Sequence, residues 1–367
     1  MTLIPTEASA PGKLMIAGEY AVLEPGEPAI VAALDRALTA RIEPAETFTF
    51  SSESLAVTNW PVTYENGRWN LQAGPSLQAP FVAAAVNTTL VYLRGLGKAI
   101  APFSLFLIGR LESASGAKYG FGSSAAVTVA TIGALLGACD VRPDTEQVFK
   151  LAVLAHLGTQ GNGSGADLAA SVFGGVLRFV SFDHAWLFEQ DRLGTPLAHL
   201  IEADWPILGI EPLPWPGGLE LAIGFTGQPA STAPLIQAVS SVRQSRSSDY
   251  ARFLVWSRQA VNSLAAALRD EDPAAALSAI AQARAALDVL QGASGVVLET
   301  PMLKVLAEAA TASGGAGKLS GAGGGDCGFG VFLGAHERRE AEQAWRNAGI
   351  EVMEAAIAPT GLIIRQS

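Results

Sequence analysis

The sequence predicts an α+β fold with two domains, on three observations. The chain has 367 residues, whereas a single domain has roughly 100–200. Strand-like and helix-like segments are mixed without strict alternation, which favours α+β over α/β. A poorly periodic segment, residues 205–218, carries four prolines and is a candidate boundary. We therefore expect an N-terminal domain over residues 1–215 and a C-terminal domain over residues 216–367.

Strands dominate the first part of the N-terminal half, and helices follow them. Branched, aromatic and leucine residues between turn signals predict strands at residues 29–34, 38–42, 47–50, 103–108 and 175–180. The apolar stretch at 123–138 is typical of a buried helix, and residues 145–156 form a second helical pattern.

The C-terminal half has long alanine-rich helical patterns between strands. Residues 219–225, 327–333 and 350–357 resemble strands, and residues 252–268 and 274–290 resemble helices. Asp272 followed by Pro273 supplies a helix cap and a first-turn proline. Thr300 and Pro301 repeat this start signal, and Gly314 is a plausible stop for that third helix.

Composition excludes several classes of protein. With 24 basic against 34 acidic residues, the net charge is −10, and a nucleic-acid binder would instead show a basic stripe. The longest apolar run, residues 125–139, is shorter than the roughly 20 residues of a membrane span. Residues 1–9 lack a signal-peptide pattern. Two cysteines and four unpaired histidines favour a cytoplasmic protein without a transition metal.

The lysines are few, and three of them accompany glycine-rich segments. The chain has six lysines. Lys13, Lys118 and Lys318 lie in or beside the three most conspicuous glycine-rich segments. Glycines let the backbone approach a ligand closely. This pattern indicates an anion site on an otherwise acidic protein.

The central segment, residues 118–126 (KYGFGSSAA), opens the long apolar helix. Gly120 and Gly122 permit a tight turn, and Ser123 and Ser124 stand at the helix start, where free N–H groups attract anions. Their hydroxyls suit phosphate or Mg²⁺, which prefers oxygen ligands. An ordinary helix cap after a flexible loop explains the same residues.

A second glycine-rich run, residues 320–327 (SGAGGGDC), precedes a strand. Successive backbone N–H groups in such a loop form an anion-binding concavity. A linker is the alternative, although linkers are usually richer in serine.

Lys13 interrupts an apolar strand within residues 10–20, and a buried ammonium without a partner is costly. Lys13 should therefore face a carboxylate or an anionic ligand, unless it lies at a strand edge. Asp167 follows a glycine-rich turn and is a candidate partner for Lys13. Alternatively, it is a helix N-terminal residue favoured by the dipole.

Two known nucleotide motifs fit poorly. The Walker A pattern fails, because Lys318 is followed by leucine. A GxGxxG pattern at residues 323–328 follows a helix and precedes a strand, which is the reverse of the dinucleotide-binding context. Gly120-x-Gly122-x-x-Ala125, with Asp140 further on, leaves a nucleotide-dependent oxidoreductase open as a weaker alternative.

Taken together, these segments resemble the GHMP kinase superfamily of small-molecule kinases. Its three motifs match residues 10–20, 118–126 and 320–328, in this order. The runs at 155–167 (AHLGTQGNGSGAD) and 224–232 (GFTGQPAST) are similar to the phosphomevalonate kinase branch. The resemblance covers most of the chain.

The resemblance implies a fold and a reaction. We expect a ribosomal-S5-like N-terminal domain, a ferredoxin-like C-terminal domain, and ATP bound in the cleft between them. The branch implies ATP with Mg²⁺ as cofactors and 5-phosphomevalonate as the acceptor, without nucleic acid or membrane partners, in a monomer or homodimer. A superfamily kinase acting on a hydroxyl, similar to mevalonate kinase, is the alternative.

The resemblance also assigns residue roles. Lys13, Lys118 and Asp167 are expected to be catalytic, with the lysines neutralising phosphates and Asp167 orienting Lys13 or assisting the metal. ATP contacts are expected from Gly120, Gly122, Ser123, Ser124 and Ala125, and Mg²⁺ from Ser124. Substrate contacts are expected from Lys13, Ser164, Ser231, Gly323, Gly324 and Gly325.

One position departs from the mevalonate kinase pattern. Those kinases have a glutamate Mg²⁺ ligand about eleven residues before the catalytic aspartate, and this chain has His156 there. This difference favours the phosphomevalonate branch.

Overall fold

The computed structural model describes residues 3–71, 79–109, 121–161, 163–227, 232–245 and 248–367. Its strands are β1 (Thr6–Ala17), β2 (Pro28–Pro44), β3 (Thr49–Ser52), β4 (Val57–Glu65), β5 (Arg68–Leu71), β6 (Phe103–Ile108), β7 (Val176–Val180), β8 (Gly209–Leu213), β9 (Glu220–Phe225), β10 (Ala316–Leu319), β11 (Cys327–Phe332), β12 (Glu351–Met353) and β13 (Ile363–Gln366). Its helices are α1 (Pro80–Gly95), α2 (Ser123–Ala138), α3 (Thr145–Gln160), α4 (Ala166–Phe173), α5 (His184–Arg192), α6 (Leu197–Glu202), α7 (Thr232–Ser245), α8 (Ser248–Arg269), α9 (Pro273–Ser294), α10 (Pro301–Ala312) and α11 (Ala335–Asn347).

The first sheet is built around the long strand β2. Its order is β13-β1-β2-β6-β3-β4-β5, with β7 and β8 continuing from the other end of β2. The predicted strands at 29–34 and 38–42 are therefore one strand. Pro11 lies opposite Ala37 but Gly12 lies opposite Leu34, so the exposed residues between them form a bulge. A bulge and a turn have similar sequence signals, and for this reason the sequence predicted two strands.

The second sheet has the order β10-β11-β9-β12 and is antiparallel throughout. Helices connect β9 to β10 and β11 to β12, while β10 and β11 are joined directly. This βαββαβ arrangement is the ferredoxin-like motif. The expected α+β architecture with a ferredoxin-like second unit is confirmed.

Helix α2 lies against β1 and β2 and is buried nearly all round, which explains why its sequence is apolar without a polar face. It covers one face of the first sheet. On the other face, Leu14 and Ile30 share a core with Ile223 of β9 and Leu264 of α8. Because side chains alternate between the faces of a strand, β1 and β2 contribute to both cores. The two sheets are joined through this shared apolar layer.

Helix boundaries follow the predicted signals where capping residues are present. The predicted helix at 123–138 has the bounds of α2, and α3 extends four residues beyond its predicted end at residue 156. Asp272 accepts a hydrogen bond from the Ala275 amide at 3.0 Å, and Thr300 accepts one from the Leu303 amide at 3.3 Å. These are the caps expected for α9 and α10.

Two segments differ from the simple two-part division of the chain. The proline-rich segment contains β8, whose Pro212 is tolerated because β8 pairs on one side only, with β7. The final strand, β13, returns to the first sheet and pairs with β1, with Thr6 opposite Gln366. Residues from both predicted domains thus form the first sheet, and the boundary at 215/216 stays a prediction. No described helix has the length and apolar character to cross a membrane.

The return of the C-terminal tail depends on a close backbone approach, which yields a prediction. A Cβ added to Gly361 would lie 2.1 Å from the Val172 carbonyl oxygen. We expect Gly361→Ala to lower the free energy of unfolding by about 2 kcal/mol, because the backbones must separate. Gly217→Ala is the matched control, since a Cβ there meets nothing within 4 Å. Equal urea midpoints for the two variants would contradict this packing.

Candidate active site

Lys13 lies in β1 beside the start of α2. Its backbone N–H donates to the Phe121 carbonyl oxygen at 2.9 Å. The side chain then extends towards two glycine positions. A Cβ on Gly321 would lie 3.7 Å from Lys13 Nζ, and a Cβ on Gly122 would lie 2.9 Å from Lys13 Cγ. The three motif segments therefore meet at this side chain, although they are distant in sequence.

Gly122 is required at the start of α2 for two reasons. Its backbone is left-handed, with φ at 72°, a conformation that disfavours other residues. A Cβ there would also crowd Lys13, and it would lie 3.7 Å from Cβ of Asp167. The absent side chain leaves room for the lysine and the aspartate to lie side by side.

Asp167 belongs to the first turn of α4, where one carboxylate oxygen accepts from the Leu168 amide at 2.9 Å. Ser171, one turn later, donates its hydroxyl to the Pro11 carbonyl oxygen at 2.7 Å and so attaches α4 to β1. Burial lowers the pKa of Lys13, and the charge of Asp167 is the largest influence opposing that shift. Asp167 is thus a helix N-terminal residue whose charge acts on Lys13, and a direct ion pair between the two side chains stays a prediction.

Lys13 and Asp167 line a cavity of about 180 Å³. Its wall also contains Ser164, His156 and Gly321. The Ser164 hydroxyl accepts from the Ala166 amide at 3.3 Å, so it stands at the entry to α4. The cavity thus combines a cation, a carboxylate and a hydroxyl, with residues from both halves of the chain around them.

His156 forms a buried part of this wall. Its ring stacks on Phe81, with 4.7 Å between ring centroids. Within the described ranges, its Nε2 atom has no hydrogen-bond partner. Burial lowers the pKa of the imidazole, and the charge of Asp167 opposes this shift. Burial therefore favours the neutral form of the imidazole.

The first part of the 320–327 loop is bound to the N-terminal half. The Ser320 hydroxyl accepts from the Met15 amide and donates to the Met15 carbonyl oxygen, both at 3.0 Å. The Tyr20 hydroxyl donates to the Ala322 carbonyl oxygen at 2.6 Å. These contacts fasten the loop against β1 and the residues that follow it.

The next glycines of this loop lie away from the cavity wall. The Gly324 amide donates to the Leu298 carbonyl oxygen at 2.7 Å, and a Cβ on Gly323 would lie 2.4 Å from that oxygen. Gly325 follows them at φ 147°. The structure therefore brings Gly321 to the cavity, while Gly323 and Gly324 pack on the segment before α10.

The remaining predicted residues lie at the start of α2 or outside the described ranges. Ser123 and Ser124 are half-buried in the first turn of α2, and Ala125 is buried. Asp140 comes directly after α2 without a strand before it, so the dinucleotide-binding context is absent from this described stretch. Lys118, Gly120 and Ser231 lie outside the described residues.

One charged residue at the site, Glu19, escaped the sequence prediction. Glu19, after β1, is buried in the cavity wall and pairs with the fully buried Lys318 of β10. Lys318 was singled out for its place beside the glycine-rich loop, but its partner was not. The sequence did contain a signal for Glu19, because it is a glutamate in an otherwise apolar and glycine-rich segment. A buried charge requires a partner.

The donor set at α2 fits a hard divalent cation with few protein ligands. The described residues contain no cluster of three or more histidine, cysteine, aspartate or glutamate side chains for a metal. Mg²⁺ usually takes one or two protein oxygens, with phosphate and water oxygens completing its shell. The hydroxyl of Ser124 supplies such an oxygen at a helix N-terminus, where a nucleotide phosphate also binds favourably.

Family models match both halves of the chain. The model for the GHMP kinase N-terminal domain matches residues 82–175, and the model for the C-terminal domain matches residues 264–351. The first match begins within α1 and includes α2–α4, and the second includes α9–α11 with β10 and β11.

Curated relatives match along nearly the whole chain. A phosphomevalonate kinase of Streptomyces sp. is 36% identical, over 93% of this chain and 94% of its own length. A mevalonate kinase of Pyrococcus furiosus is 27% identical, over 98% of both chains.

Solved structures agree in fold. The Lin0012 protein from Listeria innocua has a TM-score of 0.92 at 33% identity, covering 99% of this chain and 100% of that one. The Streptococcus pneumoniae phosphomevalonate kinase in complex with phosphomevalonate and AMPPNP has a TM-score of 0.82 at 27% identity, covering 96% and 99%.

The double hydrogen bond of Ser320 yields a prediction. Ser320→Ala should lower the free energy of unfolding by about 1–3 kcal/mol, because it leaves the buried Met15 amide and carbonyl without their partner. Ser278→Ala, at an exposed position on α9, is the control and should change stability by less than about 0.5 kcal/mol. Thermal and urea unfolding measure both. A loss no larger than that of the control would contradict the role of Ser320 at this junction.

Proposed function

The chain belongs to the GHMP kinase family, and we propose that it is a phosphomevalonate kinase. It transfers the γ-phosphoryl group of ATP to the phosphate of 5-phosphomevalonate and releases 5-diphosphomevalonate and ADP. The observation that carries this proposal is the cavity in which Lys13 and Asp167 lie side by side at the start of α2. The acceptor is supported by the 36% identity to a phosphomevalonate kinase along nearly all of both chains.

The chemistry asks mainly for charge neutralisation. An oxygen of the acceptor phosphate forms a bond to the γ-phosphorus, while the bond from that phosphorus to the β–γ bridging oxygen breaks and its electrons leave with ADP. A phosphate monoester has a second pKa near 6, so at pH 7 the nucleophile is already an anion. Little is gained from a general base, and the harder task is to bring two polyanions together.

Lys13 performs part of that task. Its ammonium lies in the cavity wall, where it neutralises the acceptor phosphate and the γ-phosphoryl group. Asp167 keeps the lysine charged and in position, against the burial that lowers its pKa. We assign Lys118 a second neutralising role.

The start of α2 binds the nucleotide. We assign ATP contacts to Gly120, Gly122 and Ala125, because the N–H groups at the start of a helix attract phosphate oxygens. Ser123 and Ser124 add hydroxyl groups, and Ser124 holds Mg²⁺. When bound, Mg²⁺ would neutralise part of the charge on the nucleotide phosphates.

The acceptor is held by residues from both halves of the chain. We assign this role to Ser164 and Ser231 and to the loop residues Gly323, Gly324 and Gly325, together with Lys13. In the present conformation the Gly324 amide is engaged by Leu298. Use of that amide by a substrate therefore requires the loop to move.

A cytoplasmic location fits the two cysteines. Cys139 and Cys327 are buried thiols that form no disulfide in the described part of the chain, and burial raises the pKa of the Cys139 thiol to about 11. Thiols that stay protonated react slowly, so neither is suited to a redox role.

We propose that the protein is a monomer or a homodimer.

An acceptor comparison tests the function. Purified protein with ATP and Mg²⁺ is given 5-phosphomevalonate or mevalonate, and ADP release is followed with a coupled assay. The proposal requires ADP release with 5-phosphomevalonate and little with mevalonate. Faster turnover of mevalonate would instead establish a hydroxyl-directed kinase, and NAD(P) binding would revive the oxidoreductase alternative.

Lys13→Met gives the next prediction. Turnover should fall by about 1000-fold, because a preorganised charge in a closed site is lost, while the circular dichroism spectrum and thermal unfolding stay close to wild type. Lys304→Met is the control, since that lysine is exposed on α10, and it should retain full activity. Near wild-type turnover in Lys13→Met would contradict the assignment.

Asp167→Asn distinguishes a positioning role from base catalysis. A general base contributes about 100-fold to 10,000-fold, and we expect a smaller loss. The acidic limb of the pH–rate profile should persist in the variant, because it follows the second ionisation of the acceptor phosphate near pH 6. Disappearance of that limb in Asp167→Asn would identify the aspartate as the base.

A further inference from the structure

Glu19, which lines the cavity, forms a buried ion pair with Lys318. The side chain of Lys318 is fully buried and that of Glu19 is 2% exposed. Lys318 Nζ donates to the Glu19 carboxylate and, at 2.7 Å, to the Leu319 carbonyl oxygen. It also lies 5.3 Å from the ring centroid of Phe329. The ammonium is therefore enclosed by protein and cannot contact a ligand in the cavity.

The pair joins the two halves of the chain at the site. Glu19 follows β1 and lines the cavity, whereas Lys318 approaches from β10 of the second sheet. Ser320 and Tyr20 fasten the same two segments through their hydrogen bonds with Met15 and Ala322. These neutral contacts already tie the segments together, so the charged pair has a consequence beyond attachment.

That consequence concerns Lys13. Glu19 is one of the carboxylates whose charge acts on Lys13, after Asp167 and Asp326. Among the described residues that line the cavity, Lys13 is the sole lysine or arginine. A buried carboxylate that loses its cation is costly unless it finds another. Without Lys318, Glu19 would therefore draw Lys13 towards itself.

We propose that Lys318 is a positioning residue that acts through Glu19. By neutralising Glu19, it leaves the Lys13 ammonium beside Asp167 and directed at the anionic substrates. The inference rests on the proposed function for its kinetic consequence, but the arrangement of charges is independent of the substrate. If this is correct, removing Lys318 lowers turnover only while Glu19 carries a charge.

Four proteins test this: wild type, Glu19→Gln, Lys318→Met, and the double variant. Lys318→Met should lower kcat by about 100-fold, the scale of losing one preorganised charge interaction. Glu19→Gln should cost much less, and the double variant should have a kcat within about tenfold of Glu19→Gln. If Lys318→Met does not fold, a folded double variant about 100-fold slower than Glu19→Gln would still overturn the proposal.

Two kinetic results would overturn the proposal. One is a kcat of Lys318→Met near wild type. The other is a double variant that is folded yet about 100-fold slower than Glu19→Gln, because Lys318 would then act without Glu19. A purely structural pair would lower thermal stability and kcat together in the double variant, instead of restoring kcat.

A second readout does not depend on turnover. Brief amine acetylation followed by mass spectrometry measures how readily Lys13 reacts. Lys13 should react several-fold more slowly in Lys318→Met, because Glu19 engages its amine, and should recover in the double variant. Unchanged labelling across the folded variants would overturn the proposal. If the wild type turns over neither acceptor, the proposed function fails, while the labelling result still decides the role of Lys318.

Discussion

The site depends on one constraint: a half-buried lysine in an otherwise apolar strand must be kept charged. Burial lowers the pKa of the Lys13 ammonium, and the charge of the Asp167 carboxylate is the largest influence that opposes this shift. The surrounding backbone serves this pair. Gly122 leaves room for both side chains, and Ser171 attaches the helix that carries Asp167 to the strand that carries Lys13. A side chain at position 122, or loss of the Ser171 hydrogen bond, would disturb the positions of Lys13 and Asp167 without removing either charge.

The fold brings charges from distant segments to one cavity because the two sheets share an apolar layer. Strands β1 and β2 are covered by α2 on one face and by residues of the second unit on the other. The end of β1 can therefore meet both the start of α2 and the loop after β10. The ion pair of Glu19 and Lys318 follows from this geometry, since each residue comes from a different sheet.

Local sequence signals predicted many of the helices and strands. Pairings between residues distant in sequence could not be predicted. The apolar run of α2 and the caps Asp272 and Thr300 are encoded within a few residues, so their helices were expected nearly as they occur. The return of β13 to β1 depends on residues more than 350 positions apart. The partner of Lys318 is hidden for the same reason, because a buried charge reveals a need for a partner but not which residue meets it.

We infer that a phosphate group, rather than a hydroxyl, accepts the phosphoryl group in this cavity. The ³¹P NMR spectrum of the product formed from 5-phosphomevalonate, ATP and Mg²⁺ tests this most directly. Transfer to the acceptor phosphate gives two mutually coupled phosphorus resonances from a diphosphate ester, which appear as those of ATP convert to ADP. A product with two uncoupled monophosphate resonances, formed by phosphorylation of a hydroxyl, would contradict it.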